Sequence, residues 1–195
     1  IGREAFIGCR NLRQITLPSS VASIGDNAFE QCCLLTEITI PSSLTSIGDK
    51  ALDMFSLEKI FVDSENPEFF SIDGILFAKS LRKLIGCSNK NNLSTFSIPS
   101  SVTSIGPHAF SNCKSLRQVT IPSSVTSIGE GAFSECQSLT QITIPSSVTS
   151  IGEGAFLNCK SLAQITIPSS VTSIEKKLFF SCQSLTQIEI PSSSP

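Results

Sequence analysis

The chain has 195 residues and a formal net charge of −2, with a sequence pI of about 5.4. There is no basic excess to neutralise phosphates, so neither nucleic-acid binding nor attraction to an anionic membrane is implied. No apolar run approaches the ~18 residues that a bilayer-spanning helix needs.

The first blocks are regular: Pro18 and Pro41 lie 23 residues apart, as do Cys9 and Cys32. Short strands are predicted over residues 15–17 and 38–40. The block that opens at Pro41 is worn. Leu52 stands where other blocks have Phe, Met54 takes the Cys place after a one-residue deletion, and Asp63 follows the strand 60–62 where Pro is expected. From Asp63 to Pro99 the chain runs 36 residues where 23 would be regular. Within that stretch Asn66-Pro67 reads as a turn. Residues 69–72 and 75–77 flank Asp73-Gly74, a strong two-residue hairpin signal. Leu84-Ile85 reads as a further strand and 90–92 as a polar loop. The expectation is a long repeat whose hairpin projects, either as a tolerated insertion or as an interaction site.

The regular frame returns with the strand around Phe96. Pro99, Pro122, Pro145, Pro168 and Pro191 keep the 23-residue step. Blocks 121–143 and 144–166 differ at only 4 of 23 positions. A fixed period in this range is the signature of a solenoid. Neither a steady helical nor a steady strand period fits the apolar positions of a block. Leu139-x-x-Ile142-x-Ile144 ends in alternation, which suits a short strand with Ile142 and Ile144 inward and Gln141 and Thr143 outward. Val148 and Ile151 mark a second extended piece, and Gly152 permits a bend. Residues 153–159 read as one short helical or 3-10 turn, with Phe156 and Cys159 inward. Strands around 119–121, 142–144, 165–167 and 188–190 bring the total to eight. One block buries too little apolar surface to fold alone, so each coil must be covered by the next.

The repeat LxxIxIPSSVTSIGxxAFxxC resembles the BspA-like (Treponema-type) leucine-rich repeat, over nearly the whole chain. The fold class it implies is a leucine-rich-repeat solenoid, mainly β. About eight short strands form a parallel sheet, with short extended and helical or 3-10 turns on the other faces. The whole of 1–195 is expected to be one solenoid fragment of a longer array. Regular repeats occupy 1–62 and 93–195, and the long hairpin-bearing repeat occupies 63–98. The resemblance also implies a cell-surface or secreted protein that adheres to host, matrix or other cell-surface proteins. It brings no catalytic residues.

Cys9, Cys32, Cys113, Cys136, Cys159 and Cys182 share one repeat slot, which would set them in a column with parallel Cβ vectors, unsuited to bridging. Met54 in the same slot suggests a need for soft bulk and not for sulfur chemistry. Cys33 and Cys87 lie off the column. Zinc-ligand spacing is absent. His108, the single histidine, stands in a turn beside Pro107 and reads as solvent-exposed. No nucleophile and acid are brought to it, so no catalytic site, cofactor or metal is expected. The Pro-Ser-Ser serines read as structural, their hydroxyls serving nearby backbone groups. Asn92 begins one N-glycosylation triplet.

The outward strand positions are the candidate binding face. One row holds Gln14, Glu37, Lys59, Gln118, Gln141, Gln164 and Gln187. The other holds Thr16, Thr39, Phe61, Ser97, Thr120, Thr143, Thr166 and Glu189. Thr and Gln also suit exposed strand positions for their own sake. Lys59 and Phe61 interrupt the rows beside the long repeat, where an aromatic would make a local hot spot. The expected function is protein binding or adhesion through this face. The alternative is a structural spacer that displays neighbouring domains and has no ligand of its own.

Overall fold

Residues one repeat apart lie side by side in adjacent coils. This register organises both units of the chain, Ile1–Asn91 and Asn92–Pro195. The computed structural model describes residues 1–52, 56–80, 82–87 and 93–190. Met54 and the polar loop 90–92, with the triplet's Asn92, therefore lie outside the described residues. Both units are mainly β and built of stacked solenoid coils, as the period requires.

In the first unit the strands are β1 (Ser23–Ile24), β2 (Glu37–Ile40), β3 (Ser46–Ile47), β4 (Lys59–Val62), β5 (Phe69–Ile72), β6 (Ile75–Ala78) and β7 (Lys83–Cys87). β1 pairs with β3 and β2 with β4, both in parallel. The strand expected over 15–17 does not form. Ile15 and Leu17 still pack half-buried against the core that contains Leu35, Ile38 and Ile40. Side-chain burial seats that stretch against the core without a strand ladder.

The long repeat forms its hairpin as predicted. Asp73 and Gly74 adopt φ values of 49° and 71°, the left-handed pair that a two-residue turn of primed type needs. β7 then pairs antiparallel with β6 to complete a three-stranded meander. The hairpin does not project, contrary to expectation. β6 is buried along its whole length, and Phe69, Leu76 and Ala78 join the core of the first unit. A run of four consecutive apolar residues has no polar side to offer water, so both faces are covered.

Asn66 anchors the entry to that meander. It is 2% exposed, and its amide Nδ2 donates to the carbonyls of Pro41 at 2.6 Å and Leu44 at 3.0 Å. Its Oδ1 accepts from the backbone N–H groups of Glu68 and Phe69 at 2.9 and 2.7 Å. A buried side-chain amide satisfied on both ends fixes the loop to the preceding coil.

In the second unit the strands are β8 (Thr95–Ser97), β9 (Ser104–Ile105), β10 (Gln118–Thr120), β11 (Ser127–Ile128), β12 (Gln141–Thr143), β13 (Ser150–Ile151), β14 (Gln164–Thr166) and β15 (Gln187–Glu189). β8, β10 and β12 form one parallel ladder; β9, β11 and β13 form a second, around the bend. β14 pairs with β15. No ladder joins β12 to β14 among the described residues, so the expected continuous sheet is interrupted there.

The turn between Gly152 and Cys159 is neither α- nor 3-10-helical. Two residues four apart take left-handed backbone angles, Gly154 at φ 59° and Asn158 at φ 58°. The same pair recurs one coil back at Gly131 (56°) and Glu135 (61°), and again at His108 (55°) and Asn112 (62°). This alternation directs the N–H groups in two ways. Those of Gly131, Phe133 and Glu135 donate to Glu153, Ala155 and Leu157 in the next coil, at 2.8–2.9 Å. Those of Ala132, Ser134 and Cys136 donate three residues back, within their own coil. A helix would turn all of them inward and leave the stack unpaired.

Gly152 is required by closeness. A Cβ there would lie 2.4 Å from the backbone nitrogen of Glu130, and one on Gly129 would lie 2.6 Å from that of Pro107. Where Glu175 occupies the same slot, Ser173 and Ile174 leave the ladder, and Ile174 is 50% exposed. The interior is a column of phenyl rings. Phe110 and Phe133 stack with centroids 5.2 Å apart, and Phe133 and Phe156 at 5.5 Å, with planes within 5°. Such offset stacks add about 0.5–1.5 kcal/mol each beyond simple burial.

Candidate functional site

The pleat of each strand decides which side chains reach water. Along β8, β10, β12 and β14 the central residue is buried and its neighbours are exposed. Ser97, Gln118, Thr120, Gln141, Thr143, Gln164, Thr166, Gln187 and Glu189 are therefore all on the surface of the second unit. The pairings Gln118 with Gln141 and Thr120 with Thr143 set like residues side by side. In the first unit Glu37, Thr39, Lys59 and Phe61 are exposed as expected. Glu37 lies opposite Lys59, and Thr39 opposite Phe61. Phe61 exposes 49% of its surface, beside a pair of opposite charges. Gln14 and Thr16 are exposed too, but on a stretch that is not a strand.

A depression of about 410 Å³ interrupts the strand face of the second unit. Gln141, Thr143, Gln164, Thr166, Gln187 and Glu189 line it, with Ile142, Ile144 and Ile165 beneath. It lies over the break between β12 and β14. Glu189 is held in place: its two carboxylate oxygens accept from Thr166 Oγ1 at 3.1 Å and Gln187 Nε2 at 2.8 Å.

The cysteine column forms, but its slot is more specific than soft bulk. The Sγ of Cys136 donates to the carbonyl of Phe110 at 3.1 Å, and that of Cys159 to Phe133 at 3.2 Å. Cys32 and Cys182 do the same to Phe6 and Phe156. Each thiol thus links its coil to the one before. Burial pushes the Cys159 thiol well above its ordinary range, and a charge on neighbouring Cys182 would raise it further. Cys32 and Cys182 are raised too, chiefly by burial. Thiols held protonated in this way are inert toward electrophiles. Cys9 and Cys33 are exposed.

His108 is not the open turn residue that its position suggests. Its side chain is only 20% exposed, with Nε2 3.8 Å from Glu130 Oε1. The imidazole lies so close over Gly131 that a Cβ there would meet it at 2.7 Å. The serines are structural, but they reach farther than their own turn. Ser147 Oγ donates to the carbonyl of Val125 at 2.7 Å, and Ser124 Oγ to that of Val102 at 2.6 Å. Among the described residues no three His, Cys, Asp or Glu side chains gather as metal ligands. Nor is any described helix long and apolar enough to cross a membrane.

Two interactions escaped the sequence reading, the Asn66 anchor and the thiol donors. An Asn-Pro pair at the start of an insertion, and a Cys 26 residues after Phe6, Phe110, Phe133 and Phe156, are the available signals.

Comparison with known proteins agrees with this architecture. The sequence profile of the BspA type leucine rich repeat region matches residues 1–85 and 85–194, in six copies. A leucine rich cell surface protein of Faecalibacterium prausnitzii is 34% identical. Its TM-score is 0.76, over 95% of this chain and 55% of that one. A leucine-rich repeat protein of Eubacterium ventriosum is 28% identical, with a TM-score of 0.70 over 97% of this chain and 70% of its own. The pneumococcal vaccine antigen PcpA, at 24% identity, shares the fold with a TM-score of 0.81, over 96% of this chain and 53% of its own. The chain thus spans about half the length of the first and third of these. No curated protein matches it.

Proposed function

The chain belongs to the BspA-type leucine rich repeat family, and from that membership we propose that it is a protein-binding or adhesion module. In this reading it acts at the cell surface or in the secreted state, on host, matrix or other cell-surface proteins. The similarity to a bacterial leucine rich cell surface protein supports that location.

One observation carries the reading: the outward strand positions are exposed in both units, and in the second unit they are polar and, Glu189 apart, uncharged. Such a surface can bind an extended partner with little electrostatic steering. The place with most to offer is Phe61, a large aromatic on an otherwise polar face, beside Glu37 and Lys59. Aromatic anchors of this kind dominate binding energies at protein interfaces.

The test is surface plasmon resonance of the whole chain over a panel of immobilised extracellular-matrix proteins. Phe61→Ala and Lys59→Ala should each weaken any observed binding about tenfold, the ~1.4 kcal/mol expected of an anchor. Both positions are exposed, so the melting temperature should hold. Unchanged affinity in both variants would move the site elsewhere. Absence of binding across the panel would favour a spacer that displays other domains.

A further inference from the structure

The strand face of the second unit is monotonous except at one place. From β8 to β14 its outward residues are Thr, Ser and Gln. In β15 the Thr position is taken by Glu189, the single ionisable residue among those positions. The backbone of Glu189 is fixed, because its carbonyl accepts from the Ile167 N–H at 2.8 Å. The carboxylate is fixed as well, by Thr166 Oγ1 on one oxygen and Gln187 Nε2 on the other. Both donors are neutral, so the negative charge is oriented without being cancelled. A carboxylate has about four acceptor positions, so roughly half stay open, and Glu189 is one of the residues that line the depression.

The depression itself has a shape to match. It runs across three coils, from Gln141 through Gln164 to Gln187. One ladder step of about 4.8 Å between β14 and β15, with the unpaired step between β12 and β14, makes at least ~10 Å, room for three residues of extended chain at ~3.3 Å each. The three Gln amides stand at successive steps and can both donate to and accept from peptide groups. Buried Ile142 and Ile165 floor the space with apolar surface. No lysine or arginine lines it.

We infer that this depression takes a short extended segment of a partner protein that carries an arginine, with the guanidinium on Glu189. The inference rests on the binding reading above and names the chemistry of the partner. Arginine suits the place because its planar fork can engage both oxygens of a carboxylate at once.

The probe is a pentapeptide of threonines around a central arginine, and its twin with neutral citrulline in that place. The chain has no Trp or Tyr, so binding is followed by nuclear magnetic resonance of the glutamine side-chain amides of the whole chain. The arginine peptide should shift the amides of Gln164 and Gln187 and bind about fivefold tighter than the citrulline peptide, as expected for an exposed pair. Glu189→Gln should erase that preference, and added salt should shrink it. Glu153→Gln, on the turn side, should leave it intact. Equal binding of both peptides at the same amides would overturn the arginine assignment while leaving the face a binding surface. Shifts confined to other residues, or none with about a millimolar excess of peptide, would overturn the site altogether. A preference that Glu153→Gln abolishes equally would reduce it to long-range attraction and overturn it too. The matrix-protein assay on Phe61, in the other unit, is decided separately.

Discussion

The Sγ of Cys159 donates to the carbonyl oxygen of Phe133, 26 residues earlier, at 3.2 Å. The same carbonyl accepts from the Cys136 N–H at 3.2 Å, so it binds a donor from each of two coils. The phenyl rings of Phe133 and Phe156 stack beside it. Cys159→Val keeps the bulk and removes the donor; we expect it to cost about 1 kcal/mol, the net worth of one hydrogen bond. Cys159→Ala also opens a cavity and should cost about 1–3 kcal/mol. Urea denaturation decides: a Val variant as stable as the parent would return the slot to mere bulk.

The same thiols make stability fall with alkali. Cys32, Cys159 and Cys182 hold their protons above the ordinary value of 9.0, while the unfolded chain releases them near it. Above that pH the folded state binds more protons than the unfolded state, so the slope of stability with pH is negative. Their contribution is whole below about pH 9 and is lost as the pH climbs from there toward the folded values. The urea midpoint should hold from pH 7 to 8.5 and decline from about 9 upward. Cys159→Val should shallow that decline; a parent slope unchanged in the variant would remove Cys159 from its cause.

Two glycines two residues apart should answer differently to the same change. A Cβ on Gly152 would meet the Glu130 nitrogen at 2.4 Å, backbone against backbone. Gly152→Ala must part the coils and should cost about 2–3 kcal/mol. At Gly154 the nearest atoms, on Leu157, are 3.6 Å away, and the penalty is the left-handed φ of 59°. Gly154→Ala should cost about 1 kcal/mol. Thermal melts of the two variants, read side by side, check the order.

Asn66 is the corresponding test for the first unit. Asn66→Ala deletes two donated and two accepted hydrogen bonds at a site 2% exposed. The expected loss is about 2–4 kcal/mol. Amide exchange in β5 and β6 should quicken more than that in β1 and β3. Uniform loss of protection would mean that Asn66 supports the unit as a whole.

What the sequence disclosed was whatever repeats. The 23-residue step placed the strands from Glu37 onward, the exposed rows and the phenyl column, because those depend on one residue type recurring at one position. Asp73-Gly74 declared its hairpin for a local reason, since few residue pairs accept two left-handed angles in succession. Interactions between coils were opaque. The reach of Cys159 to Phe133, and the need for Gly152, depend on how closely two coils approach, which no window of sequence states. Burial of β6 is not legible in the sequence, because a hairpin signal tells how the chain reverses and not what covers it. The strand face was readable as a surface. Its interruption between β12 and β14 was not, since Gln141 and Gln164 sit in nearly identical blocks.

The two-way sharing of N–H groups in the turn of each coil has a mechanical consequence. Half of them clasp the following coil and half brace their own, so a coil of the second unit cannot loosen internally while its neighbour still grips it. Under traction such a stack would peel in discrete steps. Each release would free one block of 23 residues, roughly 76–83 Å of contour at full extension.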